Sequence, residues 1–233
     1  MKPSGAATIG GLLAFNGGLV DAAGFLGLHG LFTAHITGNL ATLCAAIVLG
    51  SHGYLGKILA LPEFVAVIAL ARFADARMRA RKWPARDILL AAELVLLALF
   101  FALAMAFGPF ANFDSAPALI TALAAIAAMA VQNDMQRVHL PGVAPTTFMT
   151  GNATHATVGA VGILTGDEPA HSKLYRTMLR CTGINVLAFA AGCAVSALLY
   201  WAVGFWCLAL PLVVALIATG LIRAIDPAPL ESA

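Results

Sequence analysis

Two stretches of this 233-residue chain place side chains that can bind ions or solutes at one common spacing. "DAAGFLGLHGLFTAHITGN" contains Asp21, Thr33, Thr37, Gly38 and Asn39, and "NDMQRVHLPGVAPTTFMTGN" contains Asn133, Asp134, Thr146, Thr150, Gly151 and Asn152. A single shift of 113 positions carries Asp21 onto Asp134, Thr33 onto Thr146 and Thr-Gly-Asn onto Thr-Gly-Asn, with no gap between them. A carboxylate in such apolar surroundings is expensive to expose to lipid, about 2.5–3.5 kcal/mol at a helix centre on insertion scales. Each aspartate therefore faces protein or a wet cavity, where it can hold a cation, a polar solute or a proton. The structural alternative is that it caps a broken helix by accepting backbone N–H bonds. Thr-Gly-Asn can open a half-helix, with Gly freeing the backbone, Asn capping it, and the exposed amides and helix dipole favouring an anionic group. It can equally let two helices approach while Thr and Asn bond across. Thr33 and Thr146, one helical turn upstream, would line the same face.

The two copies differ in their surroundings. Asp134 has Arg137 within i,i+3 reach, which makes an internal ion pair. Asp21 has Gly24 at the matching place and no such partner, so it is the member left free to take a proton or a cation. His35 and His155 flank the motifs at different offsets and read as ordinary polar partners. Glu93, in "LLAAELVLL", is an intramembrane acid suited to a relay or an ion pair. Cys44, Cys181, Cys193 and Cys207 show no metal-ligand spacing and read as buried thiols. There is no phosphate loop, no nucleophile–base spacing and no nucleic-acid patch, so neither an enzyme, a cofactor nor a nucleic-acid partner is expected.

The elements that position these residues follow from composition. Hydrophobic residues make up 61% and charged residues 10% of the chain, and mean hydropathy is +0.91. A soluble domain carries about 25% charged residues, so this chain belongs in a bilayer. Apolar stretches run over 6–28, 31–50, 58–76, 87–109, 116–134, 144–165, 181–200 and 201–222, several near the length of about 20 residues that spans a membrane. The expected fold is an all-α polytopic membrane protein.

Charge placement sets the threading. If all eight stretches cross, the basic residues divide almost evenly, seven to six. If each Asp…Thr-Gly-Asn unit makes one net crossing, the two halves are inverted. Lys2, Arg72, Arg77, Arg79, Arg81, Lys82, Arg86, Lys173, Arg176, Arg180 and Arg223 then share one side, and Lys57 is alone on the other. The positive-inside rule favours the second arrangement. It gives two inverted repeats, 1–113 and 114–233, of three net crossings each, with both termini cytoplasmic. A broken or re-entrant segment then falls at each Thr-Gly-Asn motif, where irregular backbone requires burial in protein or a wet cavity.

"GGLVDAAGFLGLHGLFTAHITGNL" resembles the amino-terminal signature of the YoaK family of bacterial multi-pass membrane proteins. "MAVQNDMQRVHLPGVAPTTFMTGN" resembles that family's second signature, in which Gln-Asn precedes a Thr-rich stretch and a second Thr-Gly motif. The resemblance covers nearly the whole chain. It implies a bacterial inner-membrane location and supplies no substrate. The residues themselves point to secondary transport of a small polar or ionic solute, with proton coupling as one form of it, at a site where the two Thr-Gly-Asn elements meet. The rival readings are a non-catalytic assembly or sensory protein, in which the polar residues only join helices, and, less favoured, a membrane-embedded enzyme. Besides the bilayer and the solute, self-association into a homo-oligomer is compatible with the sequence.

Overall fold

A computed structural model describes residues 3–51, 53–166 and 172–224. The described residues form eight α-helices: α1 (Pro3–Gly27), α2 (Gly38–Leu49), α3 (Tyr54–Ala80), α4 (Ala85–Phe107), α5 (Ala116–His139), α6 (Met149–Thr165), α7 (Ser172–Val203) and α8 (Ala209–Arg223). A 3₁₀ turn, Gly204–Leu208, separates the last two. Among the described residues, five helical segments are long and apolar enough to cross a membrane, the last being the whole of Ser172–Arg223. The protein is an all-α polytopic membrane protein.

Helix directions follow from which residues touch. Ile9 and Leu13 of α1 pack in one cluster with Val131 and Met135 of α5, whereas Val20 and Ala23 pack in another with Ala122 and Ala125. The two helices are therefore antiparallel. Helix α7 runs parallel to α1, since Gly10 faces Asn185 while Gly27 faces Tyr200. Helix α5 runs parallel to α3, since Gly56 faces Leu119 and His139 bonds Asp75. Helix α8 returns from Leu208, in the cluster of Phe100 and Phe205, to Ile222, in the cluster of Leu89. Of the lysines and arginines described, Lys57 stands at one end of the bundle and the others lie in the opposite half. Lys2 and residues 225–233, and with them both termini, lie outside the described residues.

Close backbone approach joins α1 to α7. A Cβ on Gly18 would overlap the carbonyl oxygen of Phe189, and a Cβ on Gly192 would overlap that of Phe15. Lipid offers no hydrophobic drive for helix association, so van der Waals contact and interhelical hydrogen bonds must supply it. Ser196 Oγ adds one such bond, to the Leu19 carbonyl at 2.7 Å. Gly192→Val should force the pair apart and cost about 1–3 kcal/mol or more, read as a lower melting temperature in detergent. A variant that melts with the wild type would show that this crossing carries no stability.

Neither Thr-Gly-Asn segment crosses the bundle from end to end. After α1 ends at Gly27, the chain turns back so that the Thr33 and Ala34 amides meet Asp21, about 9 Å down the helix at 1.5 Å per residue. Helix α2 then climbs out, and Gly53 lands beside His29. After α5 the chain again turns back, and Thr147 Oγ1 meets Asn133. Helix α6 then runs antiparallel to α7, Gly183 facing Ala156 and Gly162 facing Tyr175. Each segment leaves on the side it entered. Asp114 supports the return of the first by accepting from the Gly53 and Leu55 amides at 3.0 and 2.9 Å.

Candidate functional site

Asn39 and Asn152 hold the two loops by the same bond. Asn39 Nδ2 donates to the Phe32 carbonyl at 2.7 Å, and Asn152 Nδ2 donates to the Pro145 carbonyl at 2.5 Å. Phe32 and Pro145 are themselves 113 positions apart. Asn39 Oδ1 also accepts from the Phe32 amide at 2.8 Å, a bond Pro145 cannot make because it has no N–H. The glycines have a local cause as well. Gly38, first in α2, and Gly151, third in α6, lie under the rings of Phe32 and Phe148, which a Cβ would strike. They accommodate aromatic rings and do not form a helix–helix crossing.

Asp21 departs from expectation. It is not unpartnered: Oδ1 accepts from the amides of Thr33 and Ala34 at 2.7 Å each and of His35 at 3.3 Å. Its Oδ2 lies 3.0 Å from His35 Nδ1. With the Thr33 hydroxyl at 3.4 Å, this carboxylate clasps the whole bend, so the loop-capping role is real. His35, expected to be an ordinary polar partner, has Asp21 as that partner. The tight turn explains why sequence spacing hid this, because 14 residues separate the two along the chain.

Asp134 behaves differently from its counterpart. The nearest cation is Arg72 of α3, whose Nε is 3.8 Å from Oδ1. Arg137, the expected partner, is exposed near the end of α5 and pairs with neither oxygen. Arg72 also reaches Asp75 Oδ2 at 3.5 Å, and Arg79 reaches the same oxygen at 2.9 Å. His139 Nε2 lies 2.8 Å from Asp75 Oδ1. Asp134 Oδ2 is buried without a partner, and so is Thr146 Oγ1. Neighbouring Asn133 holds the loop instead, through Thr147 Oγ1 at 2.7 Å.

Further expectations are corrected by the same geometry. Helix α2 does not present free amides to an anion, because Gly38, Asn39 and Leu40 donate to the carbonyls of His35, Ile36 and Thr37. Thr33 and Thr146 are fully buried and do not share a face with Thr37, which is exposed. Thr150 accepts from Thr154 Oγ1 through its carbonyl. His155 is exposed on α6, and Cys44 is exposed on α2. Glu93 is buried on α4 with Oε1 unpartnered, away from both loops. The two Thr-Gly-Asn helices do not touch, since α2 packs on α3 and α6 on α7. What lies between the loops is Phe189 of α7, whose ring stands 4.8 Å from that of His35, beside Gly17 and Thr147.

Asp21, His35, Thr37 and Gly38 open onto a cavity of about 550 Å³. Its walls are otherwise Ala22, Phe25, Leu26 and Phe32 on one side and Phe189, Cys193 and Ala197 of α7 on the other. Phe25 and Phe32 flank Asp21 within the first motif and could have been suspected from it. Phe189 and Cys193 carry no signal in the sequence, because only the α1–α7 contact brings them here.

No curated protein and no solved structure matches the chain. Residues 9–221 match the family described as "Protein of unknown function (DUF1275)", in keeping with the YoaK resemblance. The chain belongs to that family.

Proposed function

We propose that this protein is a secondary transporter of a small polar or ionic solute. In this reading residues 1–113 and 114–233 are inverted repeats, the membrane is the bacterial inner membrane, and the basic end with both termini faces the cytoplasm. Transporters of this general design place the solute near the bilayer middle between repeats, at broken helices, and work by rocking or gating one repeat against the other around that site. One observation carries the reading: the same clasp is closed in one half and open in the other. Asp21 holds the bend at Thr33, while Asp134 Oδ2 and Thr146 Oγ1, at the matching positions, are buried and bond to nothing.

An unsatisfied buried polar group costs about 1–3 kcal/mol. Closing the second clasp would recover that cost at Asp134 and Thr146, while opening the first would strand the Thr33, Ala34 and His35 amides. Exchange between the two arrangements therefore has to be driven, and solute binding or an ion gradient supplies that energy in a secondary transporter. An assembly protein has no need of such a pair of states.

Four cysteines test this on a background freed of the native thiols. Gly24→Cys with Thr33→Cys spans the first clasp, where a Gly24 Cβ would already touch Thr33. Arg137→Cys with Thr146→Cys spans the equivalent positions of the second. A chain carrying both pairs should form the first bridge or the second, and seldom both in one molecule. Simultaneous formation of both, or a second bridge that never forms at any pH or membrane potential, would rule the exchange out.

A further inference from the structure

Resting on the transport reading, we infer that the solute is a monovalent organic cation with an apolar body, and that it and a proton on His35 exclude one another. The cavity's chemistry is one carboxylate set in aromatic and aliphatic walls. Among the described residues no lysine or arginine lines it, so no lysine or arginine offsets the Asp21 carboxylate there. The Asp21 side chain is only 4% exposed, and charge–charge attraction strengthens as water is removed.

The aromatic lining acts in the same direction. The Phe25 and Phe32 ring centroids are 4.8 Å apart, and those of His35 and Phe189 are also 4.8 Å apart. Aromatic faces carry partial negative charge and attract cations, most of all weakly hydrated ones such as quaternary ammonium groups. No group of three His, Cys, Asp or Glu side chains that could hold a metal ion occurs among the described residues, and the largely apolar walls offer few groups to replace the water of a small hydrated ion. An anion would meet the Asp21 carboxylate with no positive side chain to offset it. The volume, about 550 Å³, falls within the range of small-molecule sites.

His35 supplies the coupling. Histidine is the side chain whose charge changes in the physiological pH range, and its Nδ1 is already 3.0 Å from Asp21 Oδ2. Once protonated, it neutralises the carboxylate in place and removes the attraction for a second cation. The titratable side chains that face this pair are few: Asp21 itself from α1, Cys193 from α7, and none from α2. A neutral thiol leaves the balance unchanged. Proton and solute therefore compete for one carboxylate, which is the condition for exchanging one against the other.

Radiolabelled benzyltrimethylammonium tests the inference on purified full-length protein. Saturable binding is expected, displaced by the unlabelled cation and not by its uncharged carbon analogue neopentylbenzene or by phenylacetate. Affinity should be lower at acidic than at alkaline pH. His35→Gln should bind with a flat pH profile, and Phe32→Leu and Phe189→Leu should each weaken binding about fivefold or more. Equal competition by phenylacetate, no saturable binding by well-folded protein at either pH, or wild-type affinity in both phenylalanine variants would each overturn it. Mutually exclusive disulfides with no cation binding would sink this inference alone. Cation binding with both bridges present at once would sink the exchange mechanism and leave the ligand class standing.

Discussion

Asp21→Ala should unfasten residues 28–37 and give the largest loss of stability of any single change in the first half. The substitution removes the acceptor for three backbone amides and the partner of His35 together. Unsatisfied buried donors cost about 1–3 kcal/mol each, so even the low end totals roughly 3 kcal/mol. For a chain of this size that is a fall in melting temperature of about 10 °C. Asp21→Asn should do much less harm, since its side-chain oxygen can still accept from Thr33 and Ala34 while the charge opposite His35 is lost. The alanine variant separates the clasp from the chemistry: if it melts with the wild type in detergent, the three amide bonds do not hold the loop. The asparagine variant, in contrast, is the one to use in binding experiments.

Asp75→Ala should be the most damaging change at the basic end. Asp75 is fully buried and ties α3 to α5 through His139 at 2.8 Å, with Arg79 at 2.9 Å and Arg72 at 3.5 Å on its other oxygen. Breaking a buried charge pair costs about 3–5 kcal/mol. Here the Arg72 and Arg79 side chains are 42% and 38% exposed and can turn towards water, so the loss should be smaller, about 2–3 kcal/mol. Thermal unfolding should show Asp75→Asn midway, because asparagine can still accept one bond. Equal stability of Asp75→Ala and wild type would mean that the arginines and His139 solvate themselves equally well without it.

Much of the architecture was legible in the residues. The apolar stretches became helices close to where hydropathy placed them, and the separately drawn last two meet at the 3₁₀ turn around Phe205 and Trp206. The turning points at Thr-Gly-Asn were legible because Gly, Pro and Thr cluster there in otherwise uniform helix-forming sequence. The Asn39 and Asn152 bonds are local, seven residues long, which is why a motif could announce them. The partners of the two aspartates were not legible. Arg137 is nearest Asp134 along the helix, but it sits near the end of α5 where its long side chain reaches outward. Arg72 wins because α3 lies parallel to α5 and presents it sideways. Asp21 lacked a neighbour in sequence and found one when the chain folded back.

The division has a physical cause. Sequence by itself determined what depends on transfer from water and on bonds within a few residues: membrane residence, helix extents, the asymmetry of charge between the two ends, and the repeated bend. These are sums over single residues or short windows, so no neighbour from elsewhere can cancel them. Tertiary structure alone decided what depends on which helices touch. It brought Phe189 and Cys193 to Asp21 through the glycine contact of α1 with α7, gave Arg72 to Asp134, and kept α2 and α6 apart. It also made one copy of the clasp closed and the other open, although both are written with the same Asp and Thr at the same spacing. Local sequence contributes as well, because Asn133 and Thr147, which bond each other, stand where the first half has Val20 and Ala34.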